Sequence, residues 1–276
     1  MPTIGNHAAG DVRKILREMN LNTVCNEAKC PNRGHCYQRG TATFLILGSI
    51  CTRNCAYCAI EKSQTPPPLP DPDEPGRITE ASKKMKLSYV VLTSVTRDDL
   101  PDGGALHFAK TVLLLKKNIP NVKVEVLVPD FNGDENALAT IASAKPDVFN
   151  HNLETVRPLF ETLRPIASYD QSLKLLKRFS QIAPEIPTKS GIMLGLGETE
   201  EDIRNSLDDL LANGVSLLTL GQYLQPTSKH LEPSRFVTPE EFASWEKIAL
   251  EMGFASVASG PLVRSSFHAD KLVESL

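Results

Sequence analysis

All six cysteines of this 276-residue chain fall in its first fifth, as two triads. Cys25, Cys30 and Cys36 lie in "CNEAKCPNRGHC", and Cys51, Cys55 and Cys58 in "CTRNCAYC". Crowding of this kind does not make a disulfide framework, because disulfides stabilise small domains by closing loops across the fold. A chain this long, with 41% hydrophobic residues, can bury a core without them. The triads therefore read as metal sites, each one ligand short. The rest of the chain has to supply the scaffold that holds them.

Apolar runs rich in Val, Leu and Ile recur at 41–48, 88–94, 122–129, 147–154, 188–196 and 216–224, which predicts six strands. Between them, 78–87, 105–118, 135–144, 170–183 and 199–214 carry apolar residues at helical spacing. Asp134 and Thr199 suit helix N-caps and Gly214 a C-cap, while Thr238, followed by Pro239 and two glutamates, opens a further helix. The alternation predicts an α/β fold, a partial (βα)6 TIM-like barrel with function at the C-terminal ends of its strands. Residues 1–40 form an N-terminal arm, 41–225 the partial barrel and 226–276 a C-terminal extension. The proline-rich stretch "EKSQTPPPLPDPDEPGR" at 61–77 reads as a loop or an extended connection.

A formal charge of -3 leaves no electrostatic footprint for nucleic acid, and no run of eighteen apolar residues offers a membrane span. The first twenty residues lack the apolar stretch and cleavage site of a secretory signal. A cytoplasmic protein is the simplest expectation, with a mature organellar form as the alternative.

The second triad directly follows the first predicted strand. Three thiolates close in sequence can each reach a different iron of a 4Fe–4S cubane, leaving the fourth iron open. Zinc is the alternative, but its tetrahedral site wants a fourth Cys or His, and His35 lies too far back for a compact loop. The pattern Cys51, Cys55, Cys58, with Tyr57 before the last cysteine, resembles the radical S-adenosylmethionine superfamily. In that superfamily the open iron binds the methionine moiety of S-adenosylmethionine, and an electron from the cluster cleaves it to a 5'-deoxyadenosyl radical. The resemblance extends to "GIMLGLGET" at 191–199, with Gly191, Met193, Gly195 and Glu198 in a pattern that borders the adenine. "NHN" at 150–152 ends the fourth predicted strand, where Asn150 and Asn152 offer amides suited to the ribose and methionyl parts; polar caps of the strand end are the plain alternative. "TSVTRDDLPDGGA" at 93–105 packs acids beside Arg97 where the superfamily often holds the methionine amino group; a solvated loop is the plain alternative.

The upstream triad narrows the resemblance to the lipoyl synthases, with support from "GTATFLILG", "FNHNLETV" and "RSSFHAD" over about residues 22–270. That family implies a second, auxiliary 4Fe–4S cluster held by Cys25, Cys30, Cys36 and Ser266 of Arg264-Ser265-Ser266. A serine alkoxide is a harder and more labile iron ligand than a thiolate. Phe267 stands where the family commonly has Tyr, which removes at most one hydrogen bond, and His268 reads as a surface residue.

The implied reaction inserts two sulfur atoms, at C6 and C8, into an octanoyl group carried on a lipoyl carrier domain or H protein. The auxiliary cluster is the sulfur donor, and no catalytic residue is assigned beyond the cluster ligands. A flavodoxin or ferredoxin reductant and an iron–sulfur carrier protein are implied partners, with no nucleic acid and no membrane. The alternatives are another radical sulfur-inserting enzyme, such as a methylthiotransferase, or a non-catalytic iron–sulfur protein. The first lacks its usual RNA-binding module here.

Overall fold

The computed structural model describes residues 7–62, 65 and 67–274. Residues 63, 64 and 66 of the proline-rich stretch, like residues 1–6, lie outside the described residues. The chain divides into two compact units, 1–52 with 59–147, and 53–58 with 148–276.

In the first unit the N-terminal segment is itself folded. Helix α1 (His7–Glu18) leads to a short strand β1 (Asn22–Thr23) and two short helices, α2 (Val24–Glu27) and α3 (Arg33–Gln38). Strand β1 pairs antiparallel with β2 (Thr43–Ile46), so the first cysteine segment is attached to the sheet through backbone bonds. The Thr23 hydroxyl accepts the Asn26 N–H to cap α2 and also meets the Tyr37 hydroxyl of α3 at 2.9 Å. Strands β3 (Ile50–Cys51) and β4 (Glu61–Lys62) form a small parallel pair of their own around the second cysteine segment.

Helix α4 (Glu74–Lys84) starts four residues earlier than the periodicity suggests. Pro75 sits in its first turn, where a missing N–H costs nothing, so the end of the proline-rich stretch is a helix start and not a loop. The unit then runs through β5 (Tyr89–Ser94), α5 (Ala105–Asn118), β6 (Lys123–Leu127) and α6 (Glu135–Ser143). Strands β2, β5 and β6 are parallel neighbours in that order. All four residues of β2 and the middle four of β5 are buried, as expected where a parallel sheet is covered on both faces.

The second unit begins with β7 (Val148–Asn150), shorter than the predicted 147–154, followed by α7 (Arg157–Leu163) and α8 (Tyr169–Ile182). Next come β8 (Thr188–Leu194), α9 (Glu200–Ala212) and β9 (Leu217–Gln222). Thr199 caps α9 in a reciprocal box with Asp202. Asn213 is the C-cap, and Gly214 takes the following left-handed position at φ 82°. Helix α10 (Pro239–Met252), capped by Thr238, precedes β10 (Ser256–Gly260) and α11 (Ala269–Glu274).

Strands β7, β8, β9 and β10 are parallel in that order. Strand β10 is therefore a parallel strand beyond the six predicted, lying in the stretch that sequence reading treats as an extension. Its sequence, SVASG, is too small and polar to stand out as an apolar run. The core of this unit includes Phe149 stacked on Phe179 at 3.6 Å, both fully buried. Each ring contributes about 1.5–3 kcal/mol by leaving water.

Candidate functional site

In the second unit polar groups of β7, β8 and the segment after β7 converge with the C-terminal segment. Beyond Asn150 the chain stays alongside β8: Glu154 N–H donates to the Gly191 carbonyl at 2.9 Å, and Met193 N–H to the Glu154 carbonyl at 2.9 Å. Glu154 reaches this position with φ at 72°. Burial pushes its carboxyl up from the usual range, opposed by Arg164 and by the Asn152 amide. Arg164 donates to the carbonyls of Asn152 and Leu153 at 3.2 and 3.3 Å and lies over the Phe160 ring.

Asn152 also anchors the C-terminal segment. The Ser265 hydroxyl donates to Asn152 Oδ1 at 2.7 Å, and the buried Lys189 donates through Nζ to the Ser265 carbonyl at 2.6 Å. Gly191 makes room for this meeting. A Cβ there would stand 2.5 Å from Thr219 Oγ1 and 3.1 Å from both Asn152 Oδ1 and Ser265 Oγ. Ser266 is the next residue, half-buried, in a turn closed by Phe267 N–H donating to the Arg264 carbonyl at 2.8 Å.

Glu198 has both oxygens engaged by main chain. It accepts from Gly195 N–H at 2.6 Å and Leu196 N–H at 2.8 Å, and is itself 7% exposed. Gly195, at φ 94°, leaves no space for a side chain beside the Gln222 amide. Glu198 thus shapes the turn after β8.

The stretch bearing Cys55 and Cys58 belongs to this unit. Ala56 N–H donates to the Leu163 carbonyl at 2.9 Å, and Cys58 N–H to the Cys55 carbonyl at 3.2 Å. Tyr57 and Ala56 pack against Leu163, Leu196 and Tyr223. Burial, then the nearby Glu154 charge, holds the Tyr57 phenol well above its usual range, so it stays protonated. His230 meets the Cys58 carbonyl through Nε2 at 3.1 Å and the Thr227 hydroxyl through Nδ1 at 2.8 Å.

In the first unit Cys25 is buried on α2, Cys30 follows it and Cys36 lies on α3. The Cys36 thiol is pushed up to about 11, first by burial and then by the charges of Cys25 and Cys30. Cys25 is raised as well, mainly by burial, with a Thr43 hydrogen bond opposing it. A cavity of about 450 Å³ opens past β5 and β6, lined by Arg97, Asp98, Asp99, Phe131, Asn132 and Asp134 among others. Arg97 is not part of a solvated loop. It is 1% exposed, grips Asp99 through Nε and Nη2 at 2.8 and 2.7 Å, and donates to the Leu47 carbonyl at 3.1 Å.

A family model for the radical SAM superfamily matches residues 45–210. A lipoyl synthase of Caldanaerobacter subterraneus subsp. tengcongensis is 57% identical over 93% of this chain and 89% of its own length. That of Syntrophotalea carbinolica is 54% identical over 95% and 84%. The chain belongs to the lipoyl synthase family. Among solved structures, methylornithine synthase superposes with a TM-score of 0.59 at 15% identity, covering 88% of this chain and 73% of that one. An FeFe-hydrogenase maturase from Carboxydothermus hydrogenoformans gives 0.62 at 13%, covering 83% and 56%. At such identities the likeness concerns the fold alone, the α/β partial barrel of the superfamily.

Lipoyl synthases use S-adenosylmethionine and 4Fe–4S clusters. Among the described residues, no three His, Cys, Asp or Glu side chains are grouped to hold a single metal ion. The donor chemistry nevertheless suits a cluster. Cys25, Cys30 and Cys36 are close enough for two of the thiolates to raise the pKa of the third, and a shared iron core neutralises that repulsion while binding thiolate.

Sequence reading missed Lys189, Arg164 and His230, and it met Glu154 and Ser265 only inside quoted motifs without giving them a role. One signal was present: a lysine embedded in the otherwise buried strand sequence TKSGIML. A cation placed there needs a partner, which here is a main-chain carbonyl of the C-terminal segment.

Proposed function

We propose that this chain is a lipoyl synthase in activity, inserting two sulfur atoms at C6 and C8 of a protein-bound octanoyl group. The observation that carries the reading is the presence of both cysteine triads and the Arg264-Ser265-Ser266 segment in a chain 57% identical to a lipoyl synthase over 93% of its length. Cys51, Cys55 and Cys58 hold the cluster that binds S-adenosylmethionine, and Cys25, Cys30, Cys36 and Ser266 hold the auxiliary cluster. When bound, the first cluster with S-adenosylmethionine supplies hydrogen abstraction from unactivated carbon, and the second supplies the sulfur.

The chain's own residues orient and enclose. Asn152 and Lys189 hold Ser265, which fixes the backbone that presents Ser266. Tyr57, Leu163, Leu196 and Tyr223 form an apolar wall behind Cys55 and Cys58. Such a wall serves to exclude water from its side of a radical site. Asn150, Asn152 and Gly195 remain the groups assigned to S-adenosylmethionine. Tyr57 contributes its ring beside the cysteines, and Glu198 acts by holding the Gly195 turn. The substrate is an octanoylated lipoyl carrier domain or H protein. A flavodoxin or ferredoxin delivers electrons, and an iron–sulfur carrier protein rebuilds the auxiliary cluster, in a reducing compartment such as the cytoplasm.

Anaerobic reconstitution tests the reading. About eight iron and eight sulfide per chain fit two cubanes, and an octanoylated carrier domain should then gain two sulfur atoms by mass. Zinc without sulfide would end the reading. Ser266→Ala and Ser266→Cys should preserve cleavage of S-adenosylmethionine while altering sulfur transfer. Normal lipoyl product from both variants would remove Ser266 from the ligand set.

A further inference from the structure

Leu47, which closes the first parallel strand four residues before Cys51, is held at both ends of its peptide by buried charged side chains. Its backbone is left-handed, at φ 68°, and Gly48 follows at 90°. Its N–H donates to Glu74 Oε2 at 2.9 Å, and its carbonyl accepts from Arg97 Nη1 at 3.1 Å. Neither charged group is loose. Arg97, with 0% of its side chain exposed, makes a two-point contact with Asp99. Glu74, with 6% exposed, meets His107 Nε2 at 2.8 Å. The Leu47 side chain lies over Gly104, where a Cβ would stand 2.2 Å from Cδ1.

The far side of Cys51 is tied to the same loop. Thr52 N–H and hydroxyl donate to the Thr96 carbonyl at 3.1 and 3.0 Å, and Asp98 N–H donates to the Thr52 hydroxyl at 3.1 Å. Residues 96–99 therefore hold the chain on both sides of Cys51.

Burying an arginine and a glutamate is costly, and apolar packing would serve stability at least as well. What the pair provides is geometry: a non-glycine residue kept in a sparsely populated conformation by two directional contacts. We propose that Arg97 and Glu74 are positioning residues, gripping the Leu47 backbone so that the strand end and the Cys51 loop leave the sheet along one fixed path. Asp99 and His107 orient the grip, and Thr52 completes it. The inference rests on the reading of Cys51, Cys55 and Cys58 as ligands of the cluster that binds S-adenosylmethionine.

The test uses the full chain, reconstituted anaerobically, as wild type, Arg97→Lys and Thr52→Val. Lysine keeps the charge but loses the two-point contact. Valine keeps the volume of a half-buried side chain and removes only its hydrogen bonds. The readouts are the thermal melt and the electron paramagnetic resonance spectrum of the reduced chain titrated with S-adenosylmethionine. Auxiliary-cluster spectra come from the same substitutions in a Cys51→Ala, Cys55→Ala, Cys58→Ala background.

Both variants should broaden the spectrum and need about tenfold or more S-adenosylmethionine to shift it, since small misplacements cost that much or more. The auxiliary spectrum should not change. A wild-type titration with unaltered spectra in both variants overturns the grip alone, as does an equal change in both clusters. If Arg97→Lys does not fold, Thr52→Val decides by the same criteria. A wild-type chain whose spectrum ignores S-adenosylmethionine overturns the ligand assignment and the grip with it.

Discussion

Glu198→Ala separates a residue that holds a turn from one that holds a ligand. Sequence resemblance assigns Glu198 to the adenine border, whereas its two oxygens take the N–H groups of Gly195 and Leu196 at 2.6 and 2.8 Å. Hydrogen bonds to a charged group contribute about 1.5–3 kcal/mol each, and truncation leaves two donors in a poorly solvated turn. Local relaxation returns part of that loss, so a destabilisation of about 3–4 kcal/mol is expected. For a chain of this size each kcal/mol moves Tm by about 2–4 °C, which places the fall at about 6–16 °C. Glu198→Gln keeps one acceptor and should lose about half as much. Calorimetry of the reconstituted enzyme, with S-adenosylmethionine affinity measured alongside, is the assay. If Glu198→Ala melts within about 2 °C of wild type, or Glu198→Gln loses affinity with no change in melting, the turn-holding argument is wrong.

Three further outcomes follow from other contacts. Lys189→Met preserves bulk but removes the donor to the Ser265 carbonyl, so amide exchange at 264–267 should accelerate and lipoyl formation fall by about tenfold or more; unchanged exchange would refute the role. Asp147 is pushed up by burial, but the Val124 N–H, Lys116 and Lys123 outweigh this and hold its carboxyl below the usual range. Its contribution is therefore present above the unfolded value near 3.8 and lost only as pH falls below that. Asp147→Asn should be less stable by about 1–2 kcal/mol equally at pH 7 and pH 5, and a gap that closes between those values would contradict the assignment. Burial and the neighbouring thiolates push Cys36 up to about 11 in the metal-free chain, so its alkylation, followed by mass spectrometry, should keep rising past pH 9 with a midpoint near 11.

The elements legible in the sequence are those whose burial is uniform. Strands β2, β5 and β9 are mostly apolar because a parallel sheet covered on both faces leaves them little exposed side to mark with polar residues. Strand β10 escapes for the opposite reason. Its partner β9 carries Gly221, where a Cβ would stand 2.2 Å from the Val263 carbonyl, and so the sheet edge there is built from small residues that let the C-terminal segment approach. The cysteine triads are legible because spacing is chemistry. The groups around them are not, since their partners are main-chain atoms distant in sequence: Lys189 meets residue 265, and His230 meets residue 58.

A common device links Arg97, which sequence reading singled out, with Arg164 and Lys189, which it missed. Arg97, Arg164 and Lys189 are buried cations, and each donates to main-chain carbonyls: Leu47, Asn152 with Leu153, and Ser265 respectively. Each of those carbonyls belongs to a stretch that precedes or carries a group assigned to a cluster or to S-adenosylmethionine. A carbonyl contact constrains the path of the chain while leaving the side chain at the gripped residue to vary, so Leu47 or Leu153 need carry no polar signature. Removing such a cation should loosen the backbone that presents a ligand without altering the ligand itself. The expected lesion is a cluster that assembles but reacts poorly, in contrast to the loss of iron expected from replacing a cysteine.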